Sequence, residues 1–378
     1  MKKNIVTIWW WNGQSNLLYA IYNSFLDEVN LSSIVSMSDD GRTTWELMRL
    51  FDIDLNLHFP PPWDLRRCLF SLSKSKYRED FKIYFEKVID DTSIIKDLSL
   101  KDMFLLSGAS LDFLDYLEKI DDNFLEFNLP LDSSIKWHKL WNLIMWCVYY
   151  NLNSYDKMMS FMHKLLSVSS NVIPVTTDPS FIEAELEDGN IIEKQDNISN
   201  HANYKSKIKK LRLMEWSRGA KLNYNIYEAI SNADYIVIWP GDLYTSSICN
   251  LIIWEIKKII KASKAKIIFI VNNTNKWWET NGYSVLDFII ELEKYLWRSI
   301  DYIVANDKNP NLYPNYIEKL KNDISVKGGE YIFLSDDDKS YLESKGVKVV
   351  EGNLIDRDSL YKHDKKSISN LLKKIIFF

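Results

Sequence analysis

The chain has 378 residues, a formal net charge of −5 and 46% hydrophobic residues. This length is enough for one large domain or two small ones, and the mildly acidic charge gives no electrostatic reason to expect nucleic acid or a membrane surface as a partner. The three cysteines are far apart and form no C-x-x-C pair, which argues against a disulfide scaffold or a zinc site and fits a reducing, cytoplasmic interior. No apolar run reaches the roughly 18 residues that a membrane span needs, and the N-terminal run is too short for a secretion signal.

The N-terminal residues predict a βαβ unit of a parallel sheet. Ile5–Ile8 is a short β-branched run, Leu17–Leu26 has helical spacing, and Ser33–Met37 is a second apolar run that ends at Asp39 and Asp40. Strand, helix and strand at this spacing are typical of parallel pairing.

Helical periodicity dominates the next part of the chain. Residues 74–136 predict two to four helices, which we interpret as a helical insertion within a single domain spanning residues 1–378, serving as a lid or a partner surface. Trp137–Leu152 predicts a strongly apolar, buried helix, and Tyr155–Leu166 predicts another.

The middle of the chain predicts a β-hairpin region. Phe181–Leu186 and Ile191–Glu193 read as two strands joined by a turn at Gly189. Residues 195–205 are polar and predict a loop, and Ile208–Leu213 predicts a further strand.

The final third returns to α/β alternation. The predicted elements are strands at Tyr235–Ile238, Ile267–Val271, Tyr302–Val304 and Val347–Val350, and helices at Ile248–Ala262, Ser284–Leu296 and Ser367–Ile376. The sequence therefore predicts an α/β fold: a Rossmann-like parallel sheet flanked by helices, with a helical insertion and a β-hairpin region.

Seven stretches resemble one family in their content and their order. They are IVTIWWWNGQSNLL, IVSMSDDGRTTWEL, PPPWDLRRCLFSL, WHKLWNLIM, IVIWPGDLYTSSICNLI, NNTNKWWETNGYSVLDFI and LYKHDKKSISNLL. Together they resemble the gluconeogenesis factor family (YvcK-like), within the CofD-like 2-phospho-L-lactate transferase superfamily. The resemblance covers most of residues 4–376.

Tryptophan stands where this family has glycine, in a chain with 14 tryptophans and only 11 glycines. Soluble proteins average about 7% glycine, more than twice the share here. The positions are Trp9, Trp10, Trp11, Trp45, Trp63, Trp137, Trp141, Trp239 and Trp278, and we extend the interpretation to Trp216, Trp254 and Trp297. Our hypothesis is that these codons are UGA, read as glycine in the source organism. The alternative is a genuine tryptophan-rich variant with a filled site.

The turn after the first strand is the first candidate phosphate site. Glycine there lets main-chain N–H groups approach a phosphate at a helix N-terminus, whereas tryptophan would fill the space. The candidate residues are Trp9, Trp10, Trp11, Asn12, Gly13 and Ser15.

Polar residues in the other motifs extend the candidate site. Asp39 and Asp40 end the second strand, where a ribose, a metal or a base edge is commonly held. The resemblance makes Asp64 the best catalytic-type carboxylate, although it also suits a helix N-cap, and makes Arg66 a phosphate ligand. It likewise assigns His138 and Asn142 to the site, with a purely structural role in the core as the alternative for His138.

A second loop suits a phosphate or a sugar, because its hydroxyl groups lie at a predicted helix N-terminus. Its candidates are Trp239, Gly241, Leu243, Tyr244, Thr245 and Ser246, with Asn272 and Glu279 after the next strand. We expect no dedicated metal site.

The resemblance implies a cytoplasmic regulatory protein that binds a nucleotide or UDP-sugar and affects carbon metabolism, cell wall and cell shape. One alternative is an enzyme that moves a phospholactyl-type group from a nucleotide donor to a deazaflavin acceptor, with Mg²⁺ as its cofactor. A non-binding scaffold follows if the tryptophans are real. The oligomeric state is open, and a homo-oligomer is compatible with the sequence.

Overall fold

A computed structural model describes residues 2–9, 12–41, 48, 61, 63–88, 99–106, 108–120, 124–127, 138–200, 206–307, 329–356, 359 and 362–378. The chain divides into two compact units. The larger unit comprises Met1–Asp40 and Val172–Phe378, and the smaller comprises Gly41–Asn171. A single domain with an insertion at 74–136 stays a prediction.

The described residues form ten strands in two sheets. The strands are β1 (Lys3–Trp9), β2 (Val29–Val35), β3 (Asn171–Pro174), β4 (Ile182–Leu186), β5 (Ile191–Glu193), β6 (Ile208–Leu213), β7 (Tyr235–Ile238), β8 (Lys266–Ile270), β9 (Tyr302–Asn306) and β10 (Lys348–Gly352). The main sheet has the order β10-β9-β8-β7-β1-β2-β3, and the second has the order β5-β4-β6.

Thirteen α-helices lie in the described residues. They are α1 (Asn12–Ser24), α2 (Trp63–Leu72), α3 (Arg78–Phe85), α4 (Leu100–Leu106), α5 (Leu111–Ile120), α6 (Leu140–Leu152), α7 (Tyr155–Leu165), α8 (Gln195–Asn200), α9 (Asn225–Ser231), α10 (Trp254–Ala262), α11 (Val285–Leu296), α12 (Asp336–Ser344) and α13 (Lys365–Phe377). None of the described helices is long and apolar enough to cross a bilayer.

The main sheet confirms the predicted parallel α/β architecture. The pairs β1–β2, β1–β7, β7–β8, β8–β9 and β9–β10 are all parallel. Its central strands β7 and β8 are nearly continuous apolar runs, as is typical of parallel sheets that helices cover on both faces. Ile236, Val237 and Ile238 of β7 are accordingly almost completely buried.

The predicted β-hairpin is also confirmed. Strands β4 and β5 pair antiparallel from Glu183 opposite Glu193 to Glu185 opposite Ile191. Gly189 in the turn has a φ of +87°, a conformation that glycine adopts without strain.

The smaller unit is helical, as the periodicity predicts, and its core is aromatic. Trp141 on α6 packs against Phe85, with ring centroids 4.3 Å apart, and against Phe70 at 4.9 Å. Phe81 contacts Phe113 at 5.0 Å, which ties α3 to α5. Most residues of α6 are buried, in agreement with its strongly apolar sequence.

Several boundaries differ from the prediction. Strand β2 begins at Val29 instead of Ser33, because Val29 and Leu31 alternate with more exposed polar residues as in a half-buried strand. The polar segment after β5 forms helix α8 in its first six residues, and residues 201–205 lie outside the described residues. The helix predicted from Ile248 begins at Trp254. Elements β3, α9 and α12 have no counterpart in the prediction.

Candidate functional site

The carboxyl ends of β1 and β7 lie side by side at a reversal of strand order. Strand β1 pairs with β2 on one side and with β7 on the other, and the chain continues from β7 to β8 away from β1. Ligands of open α/β sheets bind at such reversal points. Helix α1 begins at Asn12, three residues after β1 ends, so its N-terminus follows the carboxyl end of that strand.

The first candidate segment is only partly described. Trp9 ends β1, and Asn12, Gly13 and Ser15 lie in the first turn of α1. The side chains of these residues, and Trp10 and Trp11 entirely, lie outside the described residues. The phosphate-binding role of this segment therefore stays a prediction.

The loop after β7 closes into a five-residue π-helical turn, Leu243–Ser247, which we call the 243–247 turn. The buried Glu279 carboxylate accepts hydrogen bonds from the main-chain N–H of Tyr244 (3.0 Å) and the hydroxyl of Thr245 (2.5 Å). Charge-assisted hydrogen bonds of this kind are among the stronger ones in proteins. These two bonds link Glu279 directly to the 243–247 turn.

A second carboxylate and a lysine lie beside Glu279. Asp242 is almost buried and forms an ion pair with Lys276. Burial, followed by the charge of Asp242, raises the pKa of Glu279 well above its ordinary value, while Thr245 and Lys276 act in the opposite direction. This end of the loop is therefore acidic, with one cation that partly compensates it.

Other predicted residues of this loop make structural contacts. The side-chain amide of Asn272 donates to the carbonyl of Gly241 at 2.7 Å. The hydroxyl of Tyr244 donates to the carbonyl of Ile208 at 3.1 Å and lies 3.0 Å from the hydroxyl of Tyr283. Leu243 and Ser246 are buried in the turn. The structure thus brings this predicted set together around one turn.

Asp40 does not end the second strand as a free carboxylate. Its Oδ1 accepts from the N–H of Asp196 (2.9 Å) and its Oδ2 from the N–H of Gln195 (3.1 Å), the first residues of α8. Burial raises the pKa of Asp40 to about 6, against the lowering effect of those hydrogen bonds. The neighbouring Asp39 is partly exposed.

In the smaller unit, Asp64 and Arg66 are both buried residues of α2. Asp64 is the second residue of the helix, and its interpretation as the N-cap stays a prediction. The Arg66 guanidinium forms an ion pair with Glu86 at 3.1 Å, and Lys139 pairs with the same carboxylate. Burial lowers the pKa of Arg66 to about 10. Arg66 thus has an internal acidic partner in this structure.

His138 and Asn142 lie four residues apart and both are buried. Burial lowers the pKa of His138 to about 4, so its ring is neutral near pH 7. Among the described residues, Oδ1 of Asn142 and Nε1 of Trp141 have no hydrogen-bond partner. Buried polar atoms in that condition are uncommon in folded proteins.

His363 and Asp364 close the end of the sheet. The ring of His363 donates from Nε2 to the carbonyl of Val271 at 2.9 Å and lies 5.8 Å from the ring of Trp239. Asp364 accepts from the N–H of Ser367 and caps α13. These two residues therefore link the residue after β8 to the N-terminus of α13.

The described tryptophans fall into two environments. Trp141 and Trp239 are buried, and Nε1 of Trp278 is buried without a hydrogen-bond partner in the described residues. Trp297 ends α11 with a φ of +58°, in the left-handed region where helices usually place glycine. Trp216 and Trp254 are exposed. The other positions singled out in the sequence, Trp45 and Trp137 and the side chain of Trp63, lie outside the described residues.

A magnesium site does not emerge from the described residues. They contain no group of three or more His, Cys, Asp or Glu side chains placed to hold a metal ion. Asp40 and Glu279 already accept main-chain hydrogen bonds. We derive no step that involves a metal.

Four residues that take part in these hydrogen bonds and ion pairs could not be identified from the sequence. Gln195 and Ser199 lie on α8, where the side chain of Gln195 donates to Ser199 (2.7 Å), which donates to Thr245 (3.4 Å). Lys276 and Glu86 supply the ion-pair partners described above. Polar residues of this kind are common on protein surfaces, and only the fold shows which partners they contact.

Comparison with known proteins identifies the family. The model of the family "2-phospho-L-lactate transferase CofD" matches residues 11–355. A putative gluconeogenesis factor of Thermotoga maritima is 28% identical over 81% of this chain and 80% of its own length. A gluconeogenesis factor of Listeria innocua is 26% identical over 74% of this chain and 70% of its own.

A solved structure agrees with the fold. The crystal structure of a UPF0052 family member from Bacillus halodurans superimposes with a TM-score of 0.73 and 22% identity, covering 98% of this chain and 99% of that one. The names of the curated relatives do not favour the transferase alternative. The chain belongs to the CofD family, among the proteins named gluconeogenesis factors.

Proposed function

We propose that this protein is a cytoplasmic regulatory protein that binds a nucleotide sugar of the UDP-sugar class and links carbon metabolism to cell-wall synthesis and cell shape. The observation that carries the proposal is the reversal of strand order between β1 and β7. The N-terminus of α1 follows β1 there, and its N–H groups and helix dipole suit a diphosphate. The 243–247 turn follows β7 at the same edge.

Binding without catalysis agrees with the state of the acidic groups. Asp40 and Glu279, two of the candidate carboxylates, already accept main-chain N–H hydrogen bonds and so have structural roles. A transferase would need a general base or a metal at the reacting centre. A regulator needs only a ligand-dependent change of state.

Calorimetric titration tests the proposal. UDP, UDP-glucose and GDP-glucose are titrated into the protein that carries glycine at positions 9–11 and 239. We expect saturable binding of UDP-glucose and weaker binding of GDP-glucose. Absence of binding by any UDP-sugar would overturn the proposal.

Two arginine substitutions on α1 make a matched pair. Gly13→Arg places a bulky side chain in the first turn of the helix, and Ser24→Arg adds the same charge at its exposed last residue. We expect Gly13→Arg to abolish binding and Ser24→Arg to leave it unchanged. Equal loss in both variants would argue for a non-specific charge effect and against a site at the helix N-terminus.

A further inference from the structure

We propose that Glu279 is a positioning residue of the nucleotide site, which fixes the 243–247 turn through Thr245, with Ser199 of α8 as an outer support. This inference rests on the proposed function, which it deepens by separating the groups that would touch the ligand from the group that holds them. Glu279 itself does not contact the ligand.

Both carboxylate oxygens of Glu279 are occupied by the turn. Oε2 accepts the N–H of Tyr244 at 3.0 Å and lies 3.5 Å from the N–H of Thr245, and Oε1 accepts the hydroxyl of Thr245. The Glu279 side chain is 2% exposed. A buried carboxylate is tolerated when hydrogen bonds replace its lost hydration, so these contacts stabilise the turn and the carboxylate together.

The charges around Glu279 determine how readily its carboxylate, which holds the 243–247 turn, binds a proton. Asp242 raises the pKa of Glu279 in addition to the effect of burial, while Lys276 and the donors on Tyr244 and Thr245 lower it. An anionic ligand bound beside the turn would add negative charge and raise this pKa further. Since the pKa of Glu279 is already raised to about 8, ligand binding near pH 8 is expected to be accompanied by proton uptake.

A chain of hydrogen bonds continues from the turn to the end of β2. Ser199 donates to Thr245, and Gln195 donates to Ser199. The first two N–H groups of α8 are held by Asp40, five residues beyond the end of β2 at Val35. Helix α8 has only six residues, which is too short to be stable without such contacts. Helix α8 therefore connects Asp40 to Thr245 through these hydrogen bonds.

Amide hydrogen exchange tests the positioning role without a ligand. Glu279→Gln and Thr245→Val each remove a donor–acceptor pair, whereas Thr245→Ser keeps the hydroxyl. We expect exchange of the 243–247 peptide to rise about tenfold in the first two variants and to stay near wild type in Thr245→Ser. Unchanged exchange in Glu279→Gln and Thr245→Val would overturn the inference, as would equal behaviour of Thr245→Ser and Thr245→Val.

Glu293→Gln is the matched control. Glu293 is a partly buried carboxylate of the same unit that also accepts a main-chain N–H, from Ile300 at 2.8 Å. Its substitution should affect exchange near Ile300 and leave the 243–247 peptide unchanged. An equal rise in that peptide would mean that any lost carboxylate loosens the unit, which would overturn the specific role of Glu279.

Calorimetry with UDP-glucose in buffers of different ionisation enthalpy adds a readout that a merely structural role would not move. We expect buffer-dependent heats that report proton uptake in wild type and their loss in Glu279→Gln. We also expect affinity to fall about tenfold in Thr245→Val but not in Thr245→Ser. Wild-type binding without proton uptake would overturn this coupling. If no UDP-sugar binds the wild type, the proposed function fails, and the exchange experiment still decides the positioning role.

Discussion

Oδ1 of Asp40 accepts a hydrogen bond from the N–H of Asp196, 156 residues further along the chain. Together with the bond from Gln195 to Oδ2, this contact satisfies the first N–H groups of α8, as an N-cap residue does within a single helix. The cap comes from Asp40, five residues after β2 ends at Val35, instead of from the residue that precedes the helix. Lys194, which does precede the helix, has a φ of +74°.

Removal of this distant cap should release α8. Asp40→Ala is expected to lower the free energy of unfolding by about 2 kcal/mol, since both acceptors are lost. Urea denaturation measures the loss, and amide exchange locates it in residues 195–200. Asp39→Ala is the matched control, because the neighbouring carboxylate is partly exposed. A similar loss in Asp39→Ala would argue against the specific cap.

The pH dependence of Asp40 has a defined sign. Its pKa is raised from 3.8 to about 6 by burial, so the folded protein binds more protons than the unfolded chain between those values. The stabilisation of the folded state by this proton binding is fully present below pH 3.8. It is lost as the pH rises through 6, by up to about 3 kcal/mol in the free energy of unfolding. We therefore expect wild type to gain stability relative to Asp40→Asn on acidification from pH 7 to 4, measured by urea denaturation. A constant difference would contradict this expectation.

The titration of His363 should change the stability of the protein with pH in the opposite direction. Burial lowers its pKa from 6.5 to about 4, so the folded protein binds fewer protons than the unfolded chain in that interval. The contribution of neutral His363 to the free energy of unfolding is present above pH 6.5 and is lost as the pH falls to 4. His363→Phe keeps a ring beside Trp239 but leaves the carbonyl of Val271 without its donor, which should cost about 1 kcal/mol at pH 7 and remove this pH dependence. Lys366→Ala, on the exposed side of α13, should change neither quantity.

The architecture is predictable from sequence where local pattern and tertiary context agree. The β-branched run at Tyr235–Ile238 is strand β7 with the same bounds, since no competing helical period occurs there. The Ser284 cap of α11 is equally visible, because its partner Asp287 is three residues away. Helix α8 is different: its sequence is polar, and its cap is Asp40. No local rule contains that information.

The candidate site divides along the same line. The motif order indicates which loops follow β1 and β7, and parallel strands place those loops at one edge. Sequence cannot show that Glu279 is occupied by Tyr244 and Thr245, because this requires the separation in space of residues about 35 positions apart in the chain. The partner of Arg66 is hidden for the same reason: Glu86 lies in a region where acidic residues are usually solvated.

Arg66 offers a test that separates stability from binding. Arg66→Met keeps much of the side-chain volume but removes one partner of an ion pair, while Glu86 is half-exposed and retains Lys139, so we expect a moderate loss of stability of about 1–2 kcal/mol. If Arg66 serves as the expected phosphate ligand, the same variant weakens UDP-glucose binding about tenfold in calorimetry. Arg67→Met is the control, since the Arg67 side chain is less buried than that of Arg66 and lies where the family has asparagine. Wild-type affinity in Arg66→Met would leave Arg66 only as the partner of Glu86.

Peptide mass spectrometry of the protein isolated from its native source decides the identity of the tryptophan positions. We expect glycine at residues 9–11 and 239, in the peptides that cover residues 4–18 and 234–247, and UGA codons at those positions. The left-handed conformation of Trp297 and the buried Nε1 atoms of Trp141 and Trp278, unpartnered among the described residues, are each explained by glycine. Trp146, which we do not assign to a glycine position, is the internal control and should stay tryptophan with a UGG codon. Tryptophan at residues 9–11 would mean a filled turn after β1, because indole side chains occupy the space that a diphosphate needs. In that case the nucleotide proposal falls and a non-binding scaffold becomes the function that the sequence supports.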